Sequence, residues 1–376
     1  MPRLALYFRN AALAKPLLLI FAYTDGLAHP LSPTLRRRKL PTPATDDRWF
    51  THLWLQALNS HAADLHLAPG LAPLMRVRGE LLPMTNCPPC PALPWSGLAA
   101  YFNHADAQAL LQGQYRAEVD GALEHRELGR ARWSLARCEH GLFCVMRIIT
   151  PDLPSLNDVQ LDTALANRLL PEQGLVLITG ATGSGKSSTL AALVAHRRAS
   201  LGGHIITLED PIEFRYGEGN GRISQREIGR DSPNFASALR SALRQDPDVI
   251  LLGELRDLDS ARIALTAAET GHLVLSTLHT ASAIGAIDRI LGLFPADEQA
   301  LARTQLADTL TGVISQQLVW REQSATVIRE VLLATAAVRH LIREHRLNQI
   351  EHIMQTSGSL GMQTLAQAWQ RVGLRP

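Results

Sequence analysis

Cysteine is scarce. Cys87, Cys90, Cys138 and Cys144 are the four in 376 residues. So few exclude a disulfide-stapled secreted scaffold and fit a reducing compartment. Cys87-Pro-Pro-Cys90 has the two-residue gap of a zinc or redox pair. Zinc needs a second pair, and Cys138 and Cys144 are poorly spaced for one. The two prolines hinder the helix start a redox motif uses. The segment reads as a loop with two free thiols. No apolar run approaches the roughly 20 residues of a membrane span; the longest, Leu17 to Tyr23, follows Lys15-Pro16. Excess charge of one sign is missing too: 37 basic against 35 acidic residues leave +2, which argues against a dedicated nucleic-acid binder. Internal repeats and low-complexity tracts are absent. Aromatics are only 5%, yet 46% of residues are hydrophobic, enough for two or three domains with ample core.

What is present centres on LVLITGATGSGKSS, Leu175 to Ser188. An apolar, β-branched run predicts a buried strand, and Gly180 to Ser187 spells G-x-x-x-x-G-K-S at its end. Glycines let the backbone fold back so that successive N–H groups face phosphate oxygens. The cradle is Gly180, Ala181, Thr182, Gly183, Ser184, Gly185, Lys186, Ser187 and Ser188. Lys186 supplies a point charge for the β and γ phosphates. The Ser187 hydroxyl suits Mg²⁺ beside those phosphates. A helix from about Ser187 to His196 adds its positive N-terminus. A nucleoside triphosphate, ATP with Mg²⁺, is the expected ligand.

The chain divides into four stretches. Residues 1–48 read as a leader and linker; Leu31 to Asp47 is rich in Pro, Thr and Arg. Residues 49–151 read as a small α+β domain. Asp64 to Leu67 and Pro73 to Arg78 alternate as strands, Gly79-Glu80 turns the chain, and Pro83 to Pro94 is a loop. A helix is expected near Asp106 to Gln114, and Arg132 to Ile149 returns to strand. Residues 152–327 alternate strands and helices. The runs at His204 to Leu208, Asp248 to Leu252 and Leu273 to Thr277 suit parallel strands buried on both faces. Helices are expected at Asn234 to Arg244 and Ser260 to Thr270. This predicts an α/β, RecA-like, doubly wound P-loop core with its chemistry at the carboxyl ends of the strands. Residues 328–376 read as a helical region, with Val338 to His345 and Gly361 to Val372 amphipathic.

Four strand ends then converge. Hydrolysis needs a carboxylate to orient water in line with the γ phosphate. Glu209, in Leu208-Glu-Asp-Pro-Ile-Glu213, is assigned to water activation. Glu254, in Leu252-Gly-Glu-Leu-Arg-Asp257, is assigned to the Mg²⁺ and γ-phosphate side. Gly253 occupies the place where such strands usually carry an Mg²⁺-contacting Asp. His279, at the end of the fourth strand, is positioned to sense the γ phosphate by hydrogen bonding. His272, ahead of that strand, reads equally as a phosphate-side or a helix-terminus residue.

With these elements in place the chain resembles the PilT-type ATPases of type IV pili, within the wider secretion-ATPase superfamily. The resemblance runs from about Trp54 to Val372. It rests on HAADLHLAPGLAPLMRVRGEL (His61 to Leu81), GATGSGKSS, ITLEDPIEF (Ile206 to Phe214), ALRSALRQDPDVILLGELRD (Ala238 to Asp257) and TAAETGHLVLSTLHT (Thr266 to Thr280). Ala337-Val-Arg-His-Leu-Ile-Arg-Glu344 and GSLGMQTL (Gly358 to Leu365) are similar to the retraction branch. Val338 and His340 depart from its pattern. The resemblance implies a PAS-like first domain and a homohexamer. It places each ATP between one subunit's loop and arginines of a first domain, for which Arg132, Arg137 and Arg147 are the candidates. A permanent, forked charge suits that task. Ala131 to Pro151 lacks arginine and asparagine positions that the family usually fills.

The implied activity is ATP hydrolysis driving pilus retraction and twitching, at the cytoplasmic face of the inner membrane. An inner-membrane pilus platform protein would be the partner, with membrane association through it and no nucleic acid. Arg3 and Arg9 before Leu17 would also suit a signal peptide, a reading set aside because an ATP motor works where ATP is. The leader has no counterpart in the resemblance, and the C-terminal end looks shorter than usual. Alternatives are an accessory, extension, conjugative or secretion ATPase, a non-hydrolysing ring component, or a RecA-like DNA motor, the last disfavoured by the charge balance.

Overall fold

The computed structural model describes residues 46–90, 107, 109–110, 118–125, 127–139, 141–149, 152–321 and 324–373. Most of the leader and of the helix expected near Asp106 to Gln114 lies outside them, as do residues 91–94 of the proline-rich loop.

The first domain begins one turn earlier than expected. Helix α1, Asp46–Asn59, carries Phe50, Leu53, Trp54 and Ala57 at three- and four-residue intervals, and all four are fully buried. They pack on an antiparallel sheet ordered β3-β2-β1-β6-β5-β4. Its strands are β1 Asp64–Leu67, β2 Leu74–Val77, β3 Glu80–Pro83, β4 Glu118–His125, β5 Gly129–Cys138 and β6 Gly141–Ile149. The stretch read as continuous strand from Arg132 is the β5–β6 hairpin. In β5, Ala131, Trp133 and Leu135 are buried in the core while Arg132 and Ser134 on the opposite face are exposed. Gly121 on β4 makes room for Trp133: a Cβ there would lie 2.3 Å from the indole ring.

The second sheet is ordered β13-β12-β7-β11-β10-β8-β9. It contains β7 Gly174–Thr179, β8 His204–Glu209, β9 Arg222–Glu227, β10 Val249–Leu252, β11 Leu273–Leu278, β12 Leu310–Arg321 and β13 Ser324–Leu333. All neighbours are parallel except β12 and β13. β7, β10 and β11 are buried at every position, as expected of strands covered on both faces. The helices are α2 Thr163–Leu169, α3 Lys186–Leu201, α4 Phe235–Ala242, α5 Leu258–Glu269, α6 Ala283–Leu291, α7 Gln299–Thr309, α8 Ala336–Arg343, α9 Ile350–Thr356 and α10 Leu365–Arg371. Asn234, Asp257 and Ser282 cap α4, α5 and α6 through side-chain oxygens. This is a RecA-like α/β core.

One boundary needs correction. Residues 328–333 do not open the helical region; they complete β13, and Ile328, Val331 and Leu332 are buried there. Helix resumes at Ala336, capped by Thr335. Within α8, Val338, Leu341 and Ile342 face the core. Arg339 donates to the Ala307 and Asp308 carbonyls at the end of α7, where a cation meets the negative end of the helix dipole. Among the described residues no helix is long and apolar enough to cross a membrane.

Candidate active site

Because β7, β8, β10 and β11 are parallel, their carboxyl ends share one sheet edge. That edge gathers the phosphate loop, Glu209, Gly253-Glu254 and His279. Gly180, Gly183 and Gly185 all have positive φ. Gly180 has a second reason to lack a side chain, since a Cβ would lie 2.3 Å from the Gln316 carbonyl oxygen. Lys186 opens α3 and donates from Nζ to the carbonyls of Gly180 at 2.8 Å and Ala181 at 3.0 Å. Ala181, Thr182, Gly183 and Ser187 are exposed along the loop crest, while Ser184 and Lys186 are buried. Burial holds the Lys186 ammonium below the usual lysine value, and the nearby Glu254 and Glu213 partly offset this.

Glu209 and Glu254 sit in different surroundings. Glu209 Oε1 accepts from Thr207 Oγ1 at 2.7 Å and from Gln225 Nε2 at 3.3 Å; Oε2 accepts from the Glu213 N–H at 3.4 Å. Burial nevertheless pushes its carboxyl above the usual value. Glu254 Oε2 pairs with Arg256 at 2.7 Å, and Oε1 lies 3.5 Å from His279 Nε2. The residue before it is glycine for a packing reason as well. A Cβ on Gly253 would lie 3.2 Å from the Leu208 carbonyl oxygen and 3.5 Å from Glu209 Cα, backbone atoms with little freedom to yield.

The histidines separate. His279 lies at the phosphate-loop edge beside Thr280, whose N–H donates to Thr179 Oγ1 at 2.8 Å. His272 lies at the opposite end of β11. Its Nδ1 is 3.0 Å from the Ala267 carbonyl in the last turn of α5, so it is the helix-terminus residue.

The arginines separate as well. Across the first sheet Arg76, Asp64, Arg147, Arg132 and Ala122 stand in direct register on β2, β1, β6, β5 and β4. Arg147 Nε pairs with buried Asp64 at 2.8 Å, which raises the guanidinium's proton affinity further. Arg132 and Arg147 line a cavity of about 520 Å³ that is also lined by Asp210 and Pro211 of the acidic segment and by Glu227 of β9. Arg137 is exposed near the tip of the β5–β6 hairpin and does not line it.

Two connections have no counterpart in the motif reading. Buried Gln316, on β12, donates from Nε2 to the Ser184 carbonyl at 2.6 Å and accepts at Oε1 from Thr189 Oγ1 at 3.0 Å. It ties the middle of the phosphate loop and the first turn of α3 to β12. A buried glutamine inside an apolar strand was the available signal, without any hint of its partner. The other is Arg130, a buried arginine of β5 that pairs with Glu227 of β9 at 2.9 Å.

The residues fit the expected ligand. A lysine and a helix N-terminus suit a polyphosphate. The exposed Ser187 hydroxyl and the Glu254 carboxylate are hard oxygen donors of the kind Mg²⁺ takes alongside waters. Fold and site together define a P-loop nucleoside triphosphatase. The chain belongs to the type II/IV secretion system protein family, whose model matches residues 131–363. An uncharacterised Escherichia coli (strain K12) protein, YggR, is 42% identical over 84% of this chain and 96% of its own length. The type IV pilus retraction ATPase PilT of Pseudomonas aeruginosa is 41% identical over 84% of this chain and 91% of its own. The crystal structure of the pilus retraction motor PilT with bound ADP matches with a TM-score of 0.76 at 35% identity, covering 85% of this chain and 92% of that one. The protein is a PilT-like ATP hydrolase of this family.

Proposed function

We propose that this protein is the motor ATPase that retracts a type IV pilus, working as a homohexamer on an inner-membrane platform protein at the cytoplasmic face. The observation that carries the hydrolytic part is the single sheet edge shared by the phosphate loop, Glu209, Glu254 and His279. The amides of Gly180 to Ser188 and the Lys186 ammonium hold the β and γ phosphates. Glu209 takes a proton from water as its oxygen attacks the γ phosphorus, and the bond to the ADP oxygen breaks. Glu254, oriented by Arg256, faces the Mg²⁺ side with Ser187, and His279 reads the γ phosphate through Glu254. Bound Mg²⁺ supplies charge neutralisation at the phosphates.

Arg132 and Arg147 are the arginines proposed to reach a nucleotide held by a neighbouring subunit. ATP would draw the first domain closed and product release would reopen it, so that closure passing around the ring turns the platform. Similarity to PilT along 91% of that protein's length favours retraction. So does the retraction-like segment on helix α8 and its C-cap, where Ala337, His340 and Glu344 are exposed.

Deleting the gene tests this in cells. Retraction predicts lost twitching with surface pili retained or increased, whereas lost pili would mean extension. In vitro, Mg²⁺-dependent ATP turnover is expected in wild type and absent in Lys186→Ala. A wild-type protein without turnover would leave a non-hydrolysing ring component.

A further inference from the structure

Arg130 reaches out of the first sheet into the acidic segment of the second domain. One guanidinium nitrogen donates to the Ile212 carbonyl; the other donates to Glu227 Oε2 at 2.9 Å. The same Glu227 oxygen accepts from the Ile212 N–H at 3.2 Å. Both polar groups of Ile212 are therefore held, one by each member of a pair that is about nine-tenths buried. The Ile212 carbonyl and the Glu213 N–H belong to one rigid peptide plane. That N–H donates to Glu209 Oε2. A single plane thus carries Arg130 at its oxygen and Glu209 at its nitrogen. β9 tightens the arrangement, because Glu209 and Glu227 are register partners and the Ile228 N–H donates to the Glu209 carbonyl at 2.8 Å.

We propose that Arg130 is a positioning residue for hydrolysis: through the Ile212–Glu213 peptide it keeps the Glu209 carboxylate aimed, so the placement of the first domain is felt at the acid that activates water. The inference rests on the water-activating role given to Glu209 above. Arginine suits the task because two of its donors address two acceptors at a fixed spacing, which a lysine ammonium does not reproduce. A cation on the carbonyl also polarises the N–H at the other end of the plane. A second ion pair between these two parts, Arg215 with Glu124 at 2.7 Å, is more than half exposed, and the hydrogen bonds of its charged ends are to each other. It serves as a control.

The groups facing Glu209 set the expected pH effect. Glu213 on the acidic segment and Tyr216 just after it are titratable; Glu213 opposes ionisation of Glu209, and Glu209 that of Tyr216. Thr207 on β8 and Gln225 on β9 are neutral donors to it. Losing the Glu213 N–H as a donor makes Glu209 harder to ionise.

The test compares wild type, Arg130→Lys, the pair Arg130→Met with Glu227→Gln, and Glu124→Gln as full-length proteins in steady-state Mg-ATP hydrolysis from pH 5 to 9. The double variant avoids an unpaired buried charge, and thermal melting with ADP titration checks that each variant is folded. Both Arg130 variants are expected to lose about tenfold in kcat at pH 7 with KM changed less than about twofold, and to have the acid limb of kcat moved up by about half a pH unit or more. Glu124→Gln is expected to match wild type. Folded Arg130 variants with wild-type kcat and an unmoved acid limb would overturn the inference alone. So would a lowered melting temperature with an unchanged pH profile, since that marks a purely structural pair. A wild type without turnover would remove the hydrolase reading and the inference together.

Discussion

Burial acts on the two central ionisable groups in the same sense, toward the neutral form. It lowers the proton affinity of Lys186 and raises that of Glu209. For Lys186 the consequence is a weakly solvated ammonium, which under the proposed function would exchange its carbonyl partners for phosphate oxygens. For Glu209 it is a stronger base, paid for in stability. The folded protein binds the Glu209 proton more tightly than the unfolded chain, where the value is near 4.5. Its stabilising contribution is therefore complete below that value and is lost as pH rises through the higher folded one. Glu209→Gln is expected to melt at or above the wild-type temperature at pH 7 and to lose this slope. Its turnover should fall by roughly 10² to 10⁴ as expected for a lost general base, with ADP affinity retained. Melting curves at several pH values beside single-turnover assays check both halves. Retained turnover would reassign the base.

At the scale of elements, the parallel strands were legible because strands covered on both faces read as short apolar runs closed by Gly, Asp or Glu. The helix starts were legible because Asn234, Asp257 and Ser282 have the chemistry of caps. Other elements are not legible in this way. α1 begins within a stretch whose Pro, Thr and Arg content reads as linker. β9, Arg222–Glu227, has Ile223 as its one apolar residue and is only half-buried at a sheet edge. The start of the C-terminal helical stretch falls within β13 because Ile328, Val331 and Leu332 satisfy helical spacing, while this end of the strand is buried continuously and shows no alternation. β12 follows α7 directly, helix ending at Thr309 and strand starting at Leu310, with no turn residues between.

Missing the pairing of β12 with β7 hides Gln316, the side chain that couples this strand to the phosphate loop. Gln316→Leu should leave the Ser184 carbonyl and the Thr189 hydroxyl without their buried partner. About 1–3 kcal/mol of stability is expected to go, together with several-fold weaker ADP binding. Denaturant melts and isothermal titration measure the two, and unchanged ADP affinity would reduce Gln316 to a packing residue.

Over the whole molecule, the register of the first sheet decides which arginines stand side by side. Arg132 and Arg147 are partners across β5 and β6 and share the exposed face, whereas Arg137 sits by the hairpin tip. Asp64 is buried beneath Arg147 and fixes its guanidinium. If these arginines act on a neighbour's nucleotide, Arg147→Ala should lower ATP turnover tenfold or more in the assembled protein, in line with a lost charge at a transferring phosphoryl group. Nucleotide affinity of the dissociated chain should stay as in wild type. Asp64→Asn should show a smaller loss of the same kind. Light scattering with ATP present gives the assembly state for 41.2 kDa protomers, and turnover is read on the same samples. An Arg147→Ala ring that hydrolyses normally would exclude the role.

The residue order alone determined the phosphate loop, the acids Glu209 and Glu254, His279 and the kind of sheet that presents them. Each is a local pattern in which backbone freedom, charge and the adjoining strand or helix lie within a few positions of one another. Only the tertiary structure decided that Gln316 braces the loop, that His272 closes a helix at the far end of its strand, and that Arg130 grips the peptide beside Glu209. Those contacts span between 5 and 132 positions, and the buried groups concerned took whatever partner the packed fold brought within hydrogen-bonding reach.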